Sequence, residues 1–199
     1  MALISNGTTM FDAGALDSGI TKGAMTFISK LTGDGSTTTL TFASGITSTY
    51  KEYVFIFTNI HPQTDDKNFT VNFRDGGTNY DAMKTTSYFH AVHGEDDSTS
   101  LAYITGHDTA QGTGAQIIAE GISNDADHGV SGILHLYAPS STPFVKQFMC
   151  RAQATRHSDI ASDVHVGGYC NVTAAITGVQ FAMSSGNIDA GVISMYGIA

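Results

Sequence analysis

Phe181–Ala199 reads FAMSSGNIDAGVISMYGIA, and this stretch decides the fold. Ser184, Ser185, Gly186 and Asn187 tolerate tight turns and positive φ, so a turn is expected there. From Ile188 to Tyr196 an extended chain points Val192, Ser194 and Tyr196 one way and Ile193 and Met195 the other. No charged tail follows. The expectation is a strand held inside a sheet and needed to close one β domain.

The same two-residue alternation runs backwards through the chain. AMTFISKL (24–31) and STTTLTF (36–42) flank Thr32-Gly33-Asp34-Gly35, which predicts a hairpin. In Tyr50–Ile60, Tyr53, Phe55 and Phe57 share one face while Val54 and Ile56 take the other. Apolar residues on both faces predict a central strand, ended by His61-Pro62. Asn68–Arg74 turns Phe69, Val71 and Phe73 inward. Tyr80–Val92 reads as a strand with an irregular start, followed by the polar loop His93–Ser100, a short strand Leu101–Thr105 and a second loop Gly106–Gly114. Ala115–Ile122, Gly129–Tyr137, Phe144–Thr155, Val164–Asn171 and Gly178–Phe181 supply further strands. Residues 1–23 lack sustained periodicity and read as an N-terminal arm or irregular segment. The whole predicts an all-β chain: an arm over 1–23 and, over 24–199, a single antiparallel two-sheet β-sandwich of jelly-roll type.

Composition narrows the function classes. Few charged residues and abundant Gly, Ser and Thr suit short strands and turns rather than long helices. A formal net charge of −9 without any run of Lys or Arg argues against nucleic-acid binding, which needs a basic stripe. No apolar run is long enough to span a bilayer and no secretory signal is visible, so synthesis in a reducing cytosol with Cys150 and Cys170 as buried thiols is expected.

The ending SGNI-x-x-G-x-I-x-x-YG at Ser185–Gly197 resembles the C-termini of small virion structural proteins of tailed bacteriophages, notably of marine, cyanophage-like types. GALDSGITKGAM (Gly14–Met25), SGITSTYKEYVFIFTNIHP (Ser44–Pro62) and TTSYFHAVH (Thr85–His93) extend the resemblance over most of the chain. The resemblance implies a non-enzymatic particle component of decoration or tail-fibre type. It would be made in the host cytoplasm, located in the virion, assembled as a homo-oligomer such as a trimer, and in contact with capsid or tail proteins.

Two of the eight histidines, His90 and His93, are close in sequence but point to opposite faces of a strand, so no transition-metal site is expected. Glu95, Asp96 and Asp97 in one loop, Asp125 and Asp127 in another, and Asp108 in a third put oxygen ligands on turns. None fits a calcium loop with glycine sixth and glutamate twelfth, and they are kept as possible binding-loop residues only. No G-x-S-x-G elbow or phosphate loop occurs, and nothing selects Glu120 or Asp163 as half of a carboxylate pair. The expectation is therefore no enzyme, no catalytic residue, no cofactor and no metal. The rival expectation is a receptor-binding module whose loops His93–Ser100 or Gly106–Gly114 recognise host-surface glycan.

Overall fold

The computed structural model describes residues 24–199 throughout. Of residues 1–23 it describes only the backbone of three short strands, β1 (Leu3–Ser5), β2 (Thr8–Asp12) and β3 (Ala15–Leu16), paired antiparallel in that order. The arm expected over 1–23 otherwise lies outside the described residues. Thirteen strands follow: β4 (Met25–Thr32), β5 (Thr39–Phe42), β6 (Glu52–Pro62), β7 (Lys67–Arg74), β8 (Lys84–Gly94), β9 (Thr99–Tyr103), β10 (Thr109–Gly112), β11 (Gln116–Ile122), β12 (Val130–Tyr137), β13 (Lys146–Arg156), β14 (Ile160–Cys170), β15 (Gly178–Met183) and β16 (Ile188–Ile198). No helix occurs among the described residues. The protein is all-β.

These thirteen strands form one antiparallel sheet that curls until it is nearly barrel-shaped. One run of neighbours is β4-β16-β6-β12-β13-β14-β8, with β9 and β10 side by side along the far edge of β8. A second run is β11-β7-β15-β5. The two runs are stitched by the single pair Ile122–Arg156 between β11 and β13, and by the isolated bridge Thr37–Ile188 near β5 and β16.

The expected closing strand is β16, which lies between β4 and β6 and buries Ile193 and Met195 completely. Gly186, at φ +78°, makes the preceding turn. The central position predicted for Tyr53, Phe55 and Phe57 is that of β6, between β16 and β12. Their rings face those of the second run. Phe42, Phe55 and Phe181 meet with centroids 5.3 to 6.3 Å apart, Phe57 meets Phe69 at 5.4 Å, and Phe73 meets Phe148 at 4.8 Å. Each fully buried ring contributes roughly 1.5–3 kcal/mol by leaving water, and aromatic pairs add about 0.5–1.5 kcal/mol.

Three local expectations are corrected. The predicted hairpin joining 24–31 to 36–42 does not form: β4 pairs with β16 and β5 with β15. Gly33 and Gly35 instead donate their amides to the Gly191 and Ile188 carbonyls, so the segment crosses between runs rather than folding back. The loop predicted over Gly106–Gly114 contains β10, which pairs irregularly with β8. The loop predicted to start at His93 is shorter, because β8 continues to Gly94 and turns through Asp97, at φ +68°, into β9.

Candidate functional site: an acidic, histidine-lined end

Antiparallel strands return to the same two ends of the sheet, so loops distant in sequence gather there. The loop of Glu95, Asp96 and Asp97 after β8 and the loop of Asp125 and Asp127 before β12 share one end. Asp65 and Asp66 before β7, Asp159 before β14 and Asp189 in β16 join them. Glu95 donates its amide to the Asp159 carbonyl, and Asn124 donates its amide to Asp65. The sequence therefore picked out two of the acidic loops that meet. Asp108 is not with them: it accepts a 2.7 Å bond from the Tyr103 hydroxyl beside the other half of β8. The loops His93–Ser100 and Gly106–Gly114, paired as candidates in the sequence, thus sit at different ends.

Histidines stand against several of these acids. His61 Nδ1 lies 2.6 Å from Asp189 Oδ1 and its Nε2 lies 3.0 Å from the Asp125 carbonyl. Both partners only accept hydrogen bonds, so the doubly protonated ring satisfies them best. Burial opposes that charge, but the Asp189 carboxylate and the neighbouring carbonyls outweigh it and hold the His61 pKa above its usual value. His128 Nε2 is 3.4 Å from Asp159 Oδ1, and His157 Nδ1 is 3.1 Å from Asp66 Oδ1. Asp96 is held below the usual carboxylate range by the hydroxyl and amide of Ser98, and Asp65 by the Asn124 amide.

Two hollows lie here on the outer side of the sheet. One, of about 530 Å³, is lined by Asn59, His61, Asp127, His128, Ser131, Gln153, Thr155 and Asp189. The other, of about 420 Å³, is lined by His93, Glu95, Asp97, Thr155, Asp159 and Ala161. Backbone shape fixes the first wall. Gly191 sits at φ +101°, and a Cβ there would fall 2.4 Å from the Asn59 carbonyl oxygen, while Asn59 itself is at φ +49°. Among the described residues no group of three or more His, Cys, Asp or Glu is arranged to hold a metal ion.

Beneath this end a polar cluster is buried that the sequence did not select. Glu120 Oε1 lies 2.5 Å from His90 Nδ1 and accepts a 2.9 Å bond from Arg156, while Oε2 lies 3.1 Å from His107 Nδ1. Both histidine contacts are out of line for hydrogen bonds, leaving the two Nδ1 atoms and the buried Tyr88 hydroxyl without partners. Burial raises the Tyr88 pKa, so it stays a neutral phenol. The one available signal was register: His90 and Glu120 fall at inward positions of their strands, where a polar residue needs a partner. Arg156 balances the carboxylate in a mostly buried ion pair.

The opposite end handles charge differently. Lys146, Cys170 and Lys84 occupy one cross-strand row, all fully buried. Lys84 donates to the Gly114 carbonyl at 2.7 Å and Lys146 to the Val172 carbonyl at 2.9 Å. Burial pulls Lys84 down to about 8 and pushes Cys170 up to about 12, the latter partly offset by the two lysines. Cys150 and Cys170 are free and buried, and burial also raises Cys150. Both are inert thiols at neutral pH.

Between the ends, the outer face of the sheet carries exposed apolar groups in two places: Met149, Phe89, Leu101 and Tyr103 across β13, β8 and β9, and Met25 and Phe27 on β4 at the other end of that run of strands. Phe89 stacks on His165 at 4.9 Å with planes 2° apart. Beside them a groove of about 460 Å³ reaches Met149, His135 and Gly167. Two charged pairs lie on this face. Arg151 grips Asp163 with two bonds of 3.1 and 2.9 Å and lowers its pKa, and His135 lies 2.5 Å from Glu52. No family model matches the chain, and no curated protein matches it.

Proposed function

We propose that the protein is a structural component of a tailed-phage particle, a homo-oligomer (trimeric in the first instance) that decorates the capsid or particle surface and contributes assembly contacts. The observation that carries this reading is the outer sheet face. Across β13, β8 and β9 it collects Met149, Phe89, Leu101 and Tyr103, and the Arg151 beside them is paired with Asp163. Such a face suits burial against another protein. The resemblance of Ser185–Gly197 to virion proteins supplies the setting, and a rigid all-β body suits a scaffold role. In this reading the β11-β7-β15-β5 run is one layer packed on the other, jelly-roll-like, and no reaction is performed.

Sedimentation at micromolar concentration tests the oligomer, and addition of the purified protein to emptied capsids tests the decoration role. A monomer that leaves capsids bare would overturn the proposal. A second reading, a tail-fibre module that recognises host-surface glycan, is favoured by the Phe89–His165 stack beside an open groove, since ring faces flanked by polar groups suit sugars. Glycan arrays and blocking of host adsorption distinguish it, because a decoration protein gives neither signal.

A further inference from the structure

We infer that Asp75 is a site of spontaneous covalent modification. Its side chain closes onto the Gly76 amide as a succinimide that reopens largely as isoaspartate, while the fold shields the chain's other Asp–Gly pair, Asp34–Gly35. The inference rests on these two turns alone and stands apart from the particle reading.

The chemistry needs a neutral carboxyl, a following amide nitrogen that can reach Cγ, and a backbone free to bring the two together. The Gly76 nitrogen bonds to Asp75 Cγ, the C–O bond to the hydroxyl breaks, and the hydroxyl leaves with the amide proton as water. Water then adds to one of the two ring carbonyls. Opening at Cγ restores aspartate. Opening at the main-chain carbonyl reroutes the chain through Cγ and adds one methylene to the backbone. The water released is the water consumed, and nothing is oxidised or reduced. A glycine after the aspartate favours the attack, because it carries no Cβ to crowd the nitrogen.

At Asp34–Gly35 the fold removes these freedoms. Asp34 Oδ1 accepts bonds from the Ser36 amide at 3.0 Å, the Ser36 hydroxyl at 2.8 Å and the Thr37 hydroxyl at 3.2 Å. Those of Ser36 above all hold the carboxyl below its usual range, in the ionised form that is the poorer electrophile. Gly35 is pinned on both sides. Its amide donates to the Ile188 carbonyl at 3.1 Å, and its carbonyl accepts from Asn187 Nδ2 at 2.7 Å.

Asp75–Gly76 lies in a turn anchored only beyond its ends. Thr177 donates its amide to the Arg74 carbonyl, and Ala82 donates its amide to the Phe73 carbonyl. Between these anchors, among the described residues, neither the Asp75 carboxylate nor the Gly76 amide has a hydrogen-bond partner. Gly76 and Gly77 are exposed, and a Cβ on Gly76 would meet nothing within 4 Å. Gly76 sits at φ +129°, which glycine alone adopts without strain, so the turn itself keeps an unhindered amide after Asp75. The same slack lets the turn take up the extra methylene.

The test is peptide mapping of the full chain held folded at neutral pH for several weeks. A lysine-specific protease puts the two pairs on separate peptides, 68–84 and 31–51, and Asn6–Gly7 on a third. Isoaspartate has the mass of aspartate and is read by its separate elution and its electron-transfer fragments. It is expected to accumulate at residue 75 about tenfold or more faster than at residue 34, since freeing hydrogen-bonded groups costs a factor of that order. In denaturant the protection is lost, and the two sites should convert at similar rates. Asp75→Glu, whose ring would be one atom larger, should abolish the signal on 68–84 and leave residue 34 unchanged. Equal accumulation at both sites in the folded chain, a gap that persists in denaturant, or no conversion at residue 75 while the denatured chain converts would each overturn the inference. So would a signal that survives Asp75→Glu, which would move the site to Asp81.

Discussion

The two ends of this sheet solve the problem of charge in opposite ways. At one, Asp125, Asp127 and Asp159 stay largely in water around the mostly buried His128, which lies 3.4 to 4.0 Å from all three. At the other, Lys84 and Lys146 are wholly enclosed and bond only to backbone carbonyls. Solvated charge costs little and stays available to partners, whereas enclosed charge is expensive and unavailable. The first end is open. The second is sealed.

The contrast can be broken most severely inside the acidic end, at Glu120. Replacing Glu120 with Ala leaves Arg156 buried without its counter-charge, and a loss of about 3–5 kcal/mol is expected in chemical denaturation. A loss below about 1 kcal/mol would mean that water already reaches Arg156.

The next largest effect belongs to the sealed end. Lys84 has a folded pKa near 8 against an ordinary 10.5. Between those values the unfolded chain binds more protons, so stability should rise with pH across that window, by about 3 kcal/mol in total. Lys84→Met should flatten this rise when its denaturation curves are compared with those of the parent from pH 7 to 11. An unchanged slope would assign the rise to another group.

The smallest effect is at the solvated end. His61 titrates above its usual value because Asp189 and nearby carbonyls favour its charged form. Its stabilisation is complete below the unfolded value of about 6.5 and is lost as pH climbs through the folded pKa. Asp189→Asn should remove this dependence and cost under about 1 kcal/mol at pH 5.5, with little change at pH 8. Thermal melts at the two pH values check it, and histidine NMR titration should show the His61 pKa falling.

How far these features could be read in advance depends on the range of the interactions that make them. Period-2 patterning is local, and it located Phe69, Val71 and Phe73 in a buried face and β6 at the centre of a sheet. Strand partners are set by distant residues. Thr32–Gly35 has the chemistry of a hairpin turn, yet its glycine amides are taken by Gly191 and Ile188, far downstream. At the site, acidic residues in turns were visible one loop at a time. That Glu95–Asp97 meets Asp125–Asp127 while Asp108 stands apart follows from strand order, which composition does not encode. Register marked Glu120 as inward-facing but not what it meets, because its partners come from β8, the loop before β10, and β13.

The placement of Ile188–Ile198 between β4 and β6 has a kinetic corollary. Until that segment has been synthesised, the backbone edges it will occupy on both neighbours lack their hydrogen-bonding partner. Synthesis alone therefore cannot complete the body stepwise; assembly must await a segment made long after its neighbours. Closure over such a sequence separation is entropically slow, on the order of milliseconds to seconds. Nascent chains would pass through a sticky interval, and overproduction at low temperature or with a holdase chaperone should raise the soluble yield.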